Sequence, residues 1–341
     1  MNRSQQLSAW NSTQEVLLQL TSGEKGSPWH EEYENVIHLA DINNPWFNRK
    51  QVENAFQGVI KLLDPVKLAS WVEKYPLIES PVKVGVIMAG NIPMAGFHDF
   101  LSVLLSGNQL NAKLSTSDRY LIPFVAKILF SFAPVLKDKF VIADQLKDVE
   151  AVIATGSNNT SRYFEYYFSK IPHIFRKNRN SAAVLTGKEN EFDLLLYGRD
   201  IFTYFGLGCR NVSKFYVPEN YNFDELFNSF LQYDDVMQHS KYMNNFDYNQ
   251  AVYLMNRQPF LTNNFVIIIE NDSLASPVSV LHFEYYKNDV ELQQKLNSVK
   301  DELQCVVSKS GSVLPGQTQN PAITDYADNV DTMAFLTSLK K

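Results

Sequence analysis

The first eighty residues place apolar side chains at helical spacing between polar faces, punctuated by caps and breakers. Asn11-Ser12 precedes a helical run, and Asn44-Pro45 ends one element. Asp64-Pro65 predicts an N-cap followed by proline in the first turn, where a missing N–H removes no intrahelical bond. From residue 82 the pattern changes. VKVGVIMA (82–89) is a short continuous apolar run, as a strand buried on both faces requires. A helix is predicted over 93–106, ending at Gly107, and LNAKLS (110–115) is again strand-like. Asp118 predicts the cap of a helix over 120–132. KFVIA (139–143) and VEAVIAT (149–155) are further strands, the second followed by Gly156-Ser157 and another helix.

The rhythm recurs after residue 181. SAAVLTG (181–187) predicts a strand, residues 189–202 a helix, and KFYVP (214–218) a strand after a loop that carries Cys209. Asn222 or Asp224 caps the next helix, and FVIIIE (265–270) and VSVLHFEYY (278–286) are strands. Such alternation predicts an α/β protein of two lobes with parallel-rich sheets and right-handed crossovers, divided near residue 180. Ligands of such sheets bind beyond the carboxyl ends of the strands.

A chain of 341 residues has material for about two domains. A net charge of −6 argues against a nucleic-acid binder that relies on a general basic face. The local cluster Arg176-Lys-Asn-Arg179 reads as a solvated loop, with an anion site as the alternative. Two cysteines, Cys209 and Cys305, make neither a disulfide framework nor a zinc pattern, which fits a reducing compartment. The N-terminus has no apolar segment of the signal-peptide kind, and the most apolar stretch (82–105) is interrupted by Asn91, Pro93, His98 and Asp99. A cytoplasmic protein without a membrane span is expected.

Three loop positions could carry chemistry. Asn91 stands at a strand tip in Gly90-Asn-Ile-Pro93, Ser157 follows Gly156 at the start of a helix, and Cys209 lies in YFGLGCRN (204–211). Backbone amides and a helix start at such positions can hold an anion. Each also has a plainer reading as turn residue, cap residue or inert thiol. Neither common phosphate fingerprint, GxGxxG or GxxxxGK[ST], is present. His98 and His173 read as surface or capping residues, with a proton-donating acid as the alternative that no spacing supports. Asp325, Asp328 and Asp331 lack the pattern of a calcium loop and read as caps and turns. The aromatic run 163–168 reads as core, with an acyl tunnel as the alternative.

Taken in order, these stretches resemble the aldehyde dehydrogenase superfamily. VGVIMAGNIPMAGFHDFLSVLLSGNQLNAKLS is similar to its strand ending in Asn-x-Pro, followed by a helix, a Gly-Asn and a strand ending in lysine. IATGSNNTS resembles its Gly-Ser at a helix start, and YFGLGCRN its Gly-x-x-Cys loop. With the ending PGQTQNPAITDYADNVDTMAFL, the set resembles the acyl-CoA reductase branch, which includes the LuxC-type fatty-acid reductases of bacterial bioluminescence. The resemblance covers about residues 80 to 341.

The resemblance implies a Rossmann-like cofactor domain over 1–180 behind the N-terminal helices, a catalytic domain over 181–315, and a C-terminal segment, 316–341, packing back on the first. It makes Cys209 the nucleophile toward an acyl thioester and Asn91 a partner in the oxyanion hole. Lys113 would meet the adenosine ribose, with Gly156 and Ser157 near the pyrophosphate. Departures refine this. The glutamate that activates water in oxidising relatives is matched by Arg176-Lys-Asn-Arg-Asn-Ser181, which has no carboxylate, so reduction of a thioester is favoured over hydrolysis. The glutamate three residues after the lysine is replaced by Thr116. Lys113, Ser115 and Thr116 could then take a 2′-phosphate, which favours NADPH over NADH. Ser273-Leu-Ala-Ser-Pro277 stands for a Glu-x-Phe-Gly-Pro stretch, leaving Ser273 to meet the nicotinamide ribose. A homodimer is implied by analogy. An aldehyde dehydrogenase working in the oxidising direction and a non-catalytic member of the fold are the alternatives.

Overall fold

A computed structural model describes residues 1–24, 26–78, 80–156 and 158–339. Contacts divide the chain into two compact units, Met1–Lys177 with the segment from Pro321 onward, and Asn178–Asn320. The first unit opens with α1 (Arg3–Thr21), α2 (His30–Asn43), α3 (Arg49–Leu62) and α4 (Pro65–Val72). A reciprocal capping box between Asn2 and Gln5 starts α1, so Asn11-Ser12 lies inside that helix instead of ahead of it. Asn44 ends α2, and its side chain accepts from Trp46 N (3.3 Å). Asp64 caps α4 as expected, accepting from Val66 N and Lys67 N.

The next elements are β1 (Lys83–Ile87), α5 (Phe97–Ser106), β2 (Gln109–Lys113), α6 (Leu121–Phe132), β3 (Phe140–Ile142), β4 (Ala151–Thr155), α7 (Asn158–Phe168) and β5 (His173–Arg176). The sheet runs β3-β2-β1-β4-β5, every pair parallel. Val84 and Val86 of β1 are fully buried, which explains the continuous apolar run. α5 starts four residues later than its sequence predicts. Residues 93–96 form a turn in which Met94 is left-handed (φ +56°), and a helix cannot pass through that conformation. Its end at Gly107 (φ +90°) is the left-handed glycine stop that was expected. On α7 only Phe164 of the tyrosine-rich run is deeply buried, while Tyr163, Tyr166 and Tyr167 are exposed, so this run is not core.

The tail returns to this unit and ends in α12 (Thr332–Ser338). Its docking corrects the reading of Arg176. That guanidinium is buried and donates to both carboxylate oxygens of Asp99 on α5 (2.5 and 2.8 Å) and to Thr332 Oγ1 (3.0 Å). It is a structural ion pair, neither a solvated loop nor an anion site. His98, read as a surface or cap residue, instead lies among Trp71 and Tyr326 with Nε2 bonded to Ile323 O (2.9 Å). Burial holds its pKa below the ordinary histidine value.

The second unit contains β6 (Asn180–Val184), α8 (Glu191–Phe202), β7 (Val212–Pro218), α9 (Asp224–Phe230), α10 (Ser240–Met255), β8 (Leu261–Thr262), β9 (Ile267–Glu270), β10 (Val280–Tyr286), α11 (Asp289–Ser298) and β11 (Leu303–Val307); α12 (Thr332–Ser338) follows in the tail and is capped by Asp331. Its sheet runs β11-β6-β7-β10-β9-β8, parallel except for the short β8. The α/β class with parallel-rich sheets is as the alternation predicts. Among the described residues no helix is long and apolar enough to cross a membrane.

Candidate active site

In the first unit, β1 lies between β2 and β4, and the strand order reverses at the β1–β4 pair. In doubly wound sheets the crevice beyond that point takes the ligand. Gly90 follows β1. A Cβ there would stand 2.3 Å from Ser115 Oγ, so only glycine lets this loop touch the loop after β2. Asn91, next in the chain, is exposed. Lys113 ends β2 and is exposed, as is Thr116, while Ser115 is half-buried and accepts from Ser117 N (3.2 Å). The Thr116 carbonyl accepts from Asn43 Nδ2 (2.8 Å) and from Arg119 Nε (3.3 Å), which brings a second exposed cation beside Thr116. Gly156 follows β4, two positions ahead of the first residue of α7, and its N–H donates to Arg176 O (3.3 Å). A Cβ on Gly156 would lie 3.0 Å from the Phe164 ring. Ser157 lies outside the described residues.

Asp118 fastens the Asn91 loop. Its buried carboxylate accepts from Met94 N (2.7 Å), and burial, against the bonds from Met94 and Leu121, pushes its pKa up to about 7. A native pKa above the unfolded value means that the native state holds the proton more tightly. Its stabilising contribution is complete below about pH 4 and is lost as pH rises through about 7. Asp118→Asn keeps an acceptor for Met94 N but cannot ionise. Urea titrations are expected to show wild-type stability falling between pH 5 and pH 8 (chosen to bracket the upper part of that interval), with a flatter profile in the variant. Equal slopes would show that Asp118 does not titrate in this range.

In the second unit, α8 gives way to a strained run. Tyr204 (φ 54°) and Phe205 (φ 55°) are left-handed, as is Gly206 (φ 77°). The two aromatic residues cost about 1–2 kcal/mol each in this conformation. Packing opposes that strain: Phe205 is buried against His239 (ring centroids 4.3 Å apart) and Tyr242 (6.1 Å). Asn211, itself buried, then locks the loop. Its Nδ2 donates to the carbonyls of Asp200 (3.0 Å), Ile201 (3.2 Å) and Thr203 (2.7 Å), and its Oδ1 accepts from Gly208 N (2.9 Å). Cys209 and Arg210 form the centre of the turn from Gly208 to Asn211, ahead of β7. Cys209 is exposed and not in a disulfide. Its carbonyl accepts from Ser181 Oγ (3.0 Å), a fully buried serine whose hydroxyl also lies 3.1 Å from Cys305 Sγ.

Ser273 is exposed in the segment after β9, and its hydroxyl donates to Ala275 O (3.1 Å). Asn91, Lys113, Ser115, Thr116 and Gly156 therefore share the carboxyl edge of the first sheet, whereas Cys209 and Ser273 belong to the second unit. His173 is exposed, stacked on Phe175 at 4.1 Å, with Nδ1 on Ile171 O (2.8 Å). Sequence reasoning gave no positioning role to Asn211, Ser181, Asp118 or Arg119. Asn211 carried a signal, an asparagine in a glycine-rich turn. Ser181 carried none, because a serine inside a strand has no periodic signature.

No protein-family model matches the chain, and no curated protein matches it in sequence. Solved structures match in fold. The indole-3-acetaldehyde dehydrogenase of P. syringae in complex with NAD+ aligns with TM-score 0.64 and 11% identity over 87% of this chain and 70% of that one. An aldehyde dehydrogenase of Mycobacterium tuberculosis complexed with NAD+ aligns with TM-score 0.62 and 12% identity over 87% and 71%. Aldehyde dehydrogenase 21 of Physcomitrella patens, with the reaction product succinate, aligns with TM-score 0.61 and 12% identity over 89% and 74%. At such identities the likeness is one of architecture: the chain has an aldehyde-dehydrogenase-like fold.

Proposed function

We propose that this chain, built on an aldehyde-dehydrogenase-like fold, is an oxidoreductase that reduces an acyl thioester to an aldehyde through Cys209. The observation that carries the reading is the Cys209 turn. An exposed thiol sits at the centre of a loop that a buried asparagine holds at both ends, after a run of left-handed residues. Strain compensated by surrounding structure is characteristic of sites where geometry matters more than stability.

The first unit fits a nicotinamide dinucleotide. Bare glycines stand at the reversal of strand order, and a helix starts beyond Gly156. The end of β2 and the loop after it carry Lys113, Ser115, Thr116 and Arg119, the last bonded to the Thr116 carbonyl. The carboxylate that follows, Asp118, is turned into the interior. That set suits a 2′-phosphate and supports NADPH. When bound, the reduced cofactor supplies hydride to the acyl carbon.

The remaining chemistry belongs to the chain. The Cys209 sulfur attacks the thioester carbonyl and a new C–S bond forms as the bond to the carrier breaks, the carrier leaving as its thiol with the proton that Cys209 gives up. Once hydride is on the acyl carbon, the Cys209–carbon bond breaks, releasing the aldehyde and, with a proton from solvent, restoring the thiol. The backbone N–H of Cys209 stabilises the oxyanion. Residues 176–181 bring no carboxylate, and Arg176 is committed to Asp99, so this stretch supplies no base to activate water against the acyl group. Ser273 meets the nicotinamide ribose.

Incubation with a panel of acyl thioesters tests the reading. An intact-mass gain of one acyl group on Cys209, with acyl-dependent oxidation of NADPH, is expected. Rapid CoA-independent oxidation of aldehydes instead would assign the oxidising direction. In the same assay Lys113→Ala is expected to lower kcat/KM for NADPH about tenfold. NADH, lacking the 2′-phosphate, is expected to lose less, and an equal loss with both would remove Lys113 from phosphate recognition.

A further inference from the structure

Lys214 is the fifth residue after Cys209, in β7, and is fully buried. Its ammonium donates to the Asp272 carbonyl (2.6 Å) and to the Glu284 carboxylate, and lies 5.2 Å above the Tyr216 ring. A buried lysine is expensive, and an apolar residue of similar length would pack there without the desolvation cost. The groups around it indicate what the charge does. On the neighbouring strand β10, His282 stands directly opposite Lys214 in the parallel register. Its Nδ1 bonds to the Ser273 carbonyl (2.8 Å), and burial keeps the ring on the neutral side of its ordinary titration. Ser213, the residue before Lys214, donates its hydroxyl to the Leu274 carbonyl (2.8 Å).

Three consecutive carbonyls, those of Asp272, Ser273 and Leu274, are thus each held by a separate side chain of two adjacent strands. The segment they belong to leaves β9 at Glu270, and the bond from Leu274 to Ser213 ties it beside the strand that the Cys209 turn enters. No regular secondary structure holds these carbonyls, so the three side chains replace the ladder that a strand would provide.

We infer that Ser213, Lys214 and His282 are positioning residues that clamp the Ser273–Pro277 segment in a fixed place relative to the Cys209 turn. The clamp rests on the proposed function in one respect: the segment is what meets the nicotinamide ribose. The side chains act through the backbone and touch neither substrate nor cofactor. Consecutive residues of one strand, Ser213 and Lys214, therefore hold the ribose segment while the residues just before them carry the nucleophile. Fixing both loops to β7 sets the thiol and the ribose contact in one frame.

The test separates the clamp from the function. Hydrogen exchange on the ligand-free protein reads the Ser273 amide, which donates to Asn271 Oδ1 (2.8 Å), and its neighbours. Lys214→Met and His282→Leu are expected to speed exchange over residues 271–277 at least about tenfold. His282→Asn, which keeps a side-chain N–H near the place of Nδ1, is expected to restore protection. Should Lys214→Met fail to fold, Ser213→Ala removes one bond at less cost and is read in the same way. Unchanged exchange in folded variants overturns the clamp. Fluorescence titration with NADPH supplies the second readout: the loosened variants are expected to bind about tenfold more weakly, with KM for the acyl thioester unchanged. Faster exchange with unaltered NADPH affinity overturns the positioning role. A wild-type protein that binds no nicotinamide overturns the proposed function and the ribose role together, while the exchange data still decide the clamp.

Discussion

Cys209→Ala is expected to lower acyl-thioester-dependent turnover by at least about 10³-fold, because no other group in the turn can accept the acyl chain. The flanking Arg210 and Asn211 offer no nucleophile, and Asn211 spends its amide on four loop bonds. Ser181 is buried beneath the turn with its hydroxyl on the Cys209 carbonyl. The variant is expected to retain NADPH affinity, since the groups assigned to the cofactor phosphates lie on the first unit. Steady-state turnover with the best acyl donor, together with an NADPH titration, makes the measurement. Wild-type turnover in the variant would exclude the acyl-enzyme route altogether.

The second large effect is on stability. Arg176→Met is expected to destabilise the first unit by about 3–5 kcal/mol, because it leaves the Asp99 carboxylate buried without its guanidinium. The loss includes the bond to Thr332, so the tail that carries α12 is expected to exchange faster than the sheet. Denaturant titration of Arg176→Met, Asp99→Leu and the double variant checks this. Recovery in the double variant, where no lone charge is buried, is the expected signature. Additive losses would show that each side chain contributes through packing alone.

Much of the architecture was legible because it depends on local pattern. The runs at 84–89 and 265–269 are apolar throughout, and burial on both faces of a parallel sheet demands that. Asp64-Pro65 and Gly107 mark helix limits through backbone chemistry that neighbours do not change. The misplaced starts have an equally local cause. Asn11-Ser12 is a plausible cap, but the Asn2–Gln5 box satisfies the helix start earlier. Pro93 suits a first turn, but Met94 is held left-handed while Asp118, 24 residues on, takes its N–H. Short edge pieces such as β5 and β11 carry too few residues for a period to declare itself.

The site divides along the same line. The chemical types came from sequence: a thiol among glycines, an amide at a strand tip, a lysine ending the next strand, and no carboxylate over residues 176–181. The supports came only from tertiary structure. Arg176 reads as a solvent cation until Asp99, 77 residues away, is seen to neutralise it in the interior. Lys214 reads as the polar start of a strand until Asp272 and Glu284 are seen to surround it. Sequence alone determined which residues could react and which strands are buried, because those follow from side-chain identity and short-range period. Only the folded chain decided which charges are spent on one another and which loops are held still, because such pairings join residues far apart whose spacing obeys no repeat.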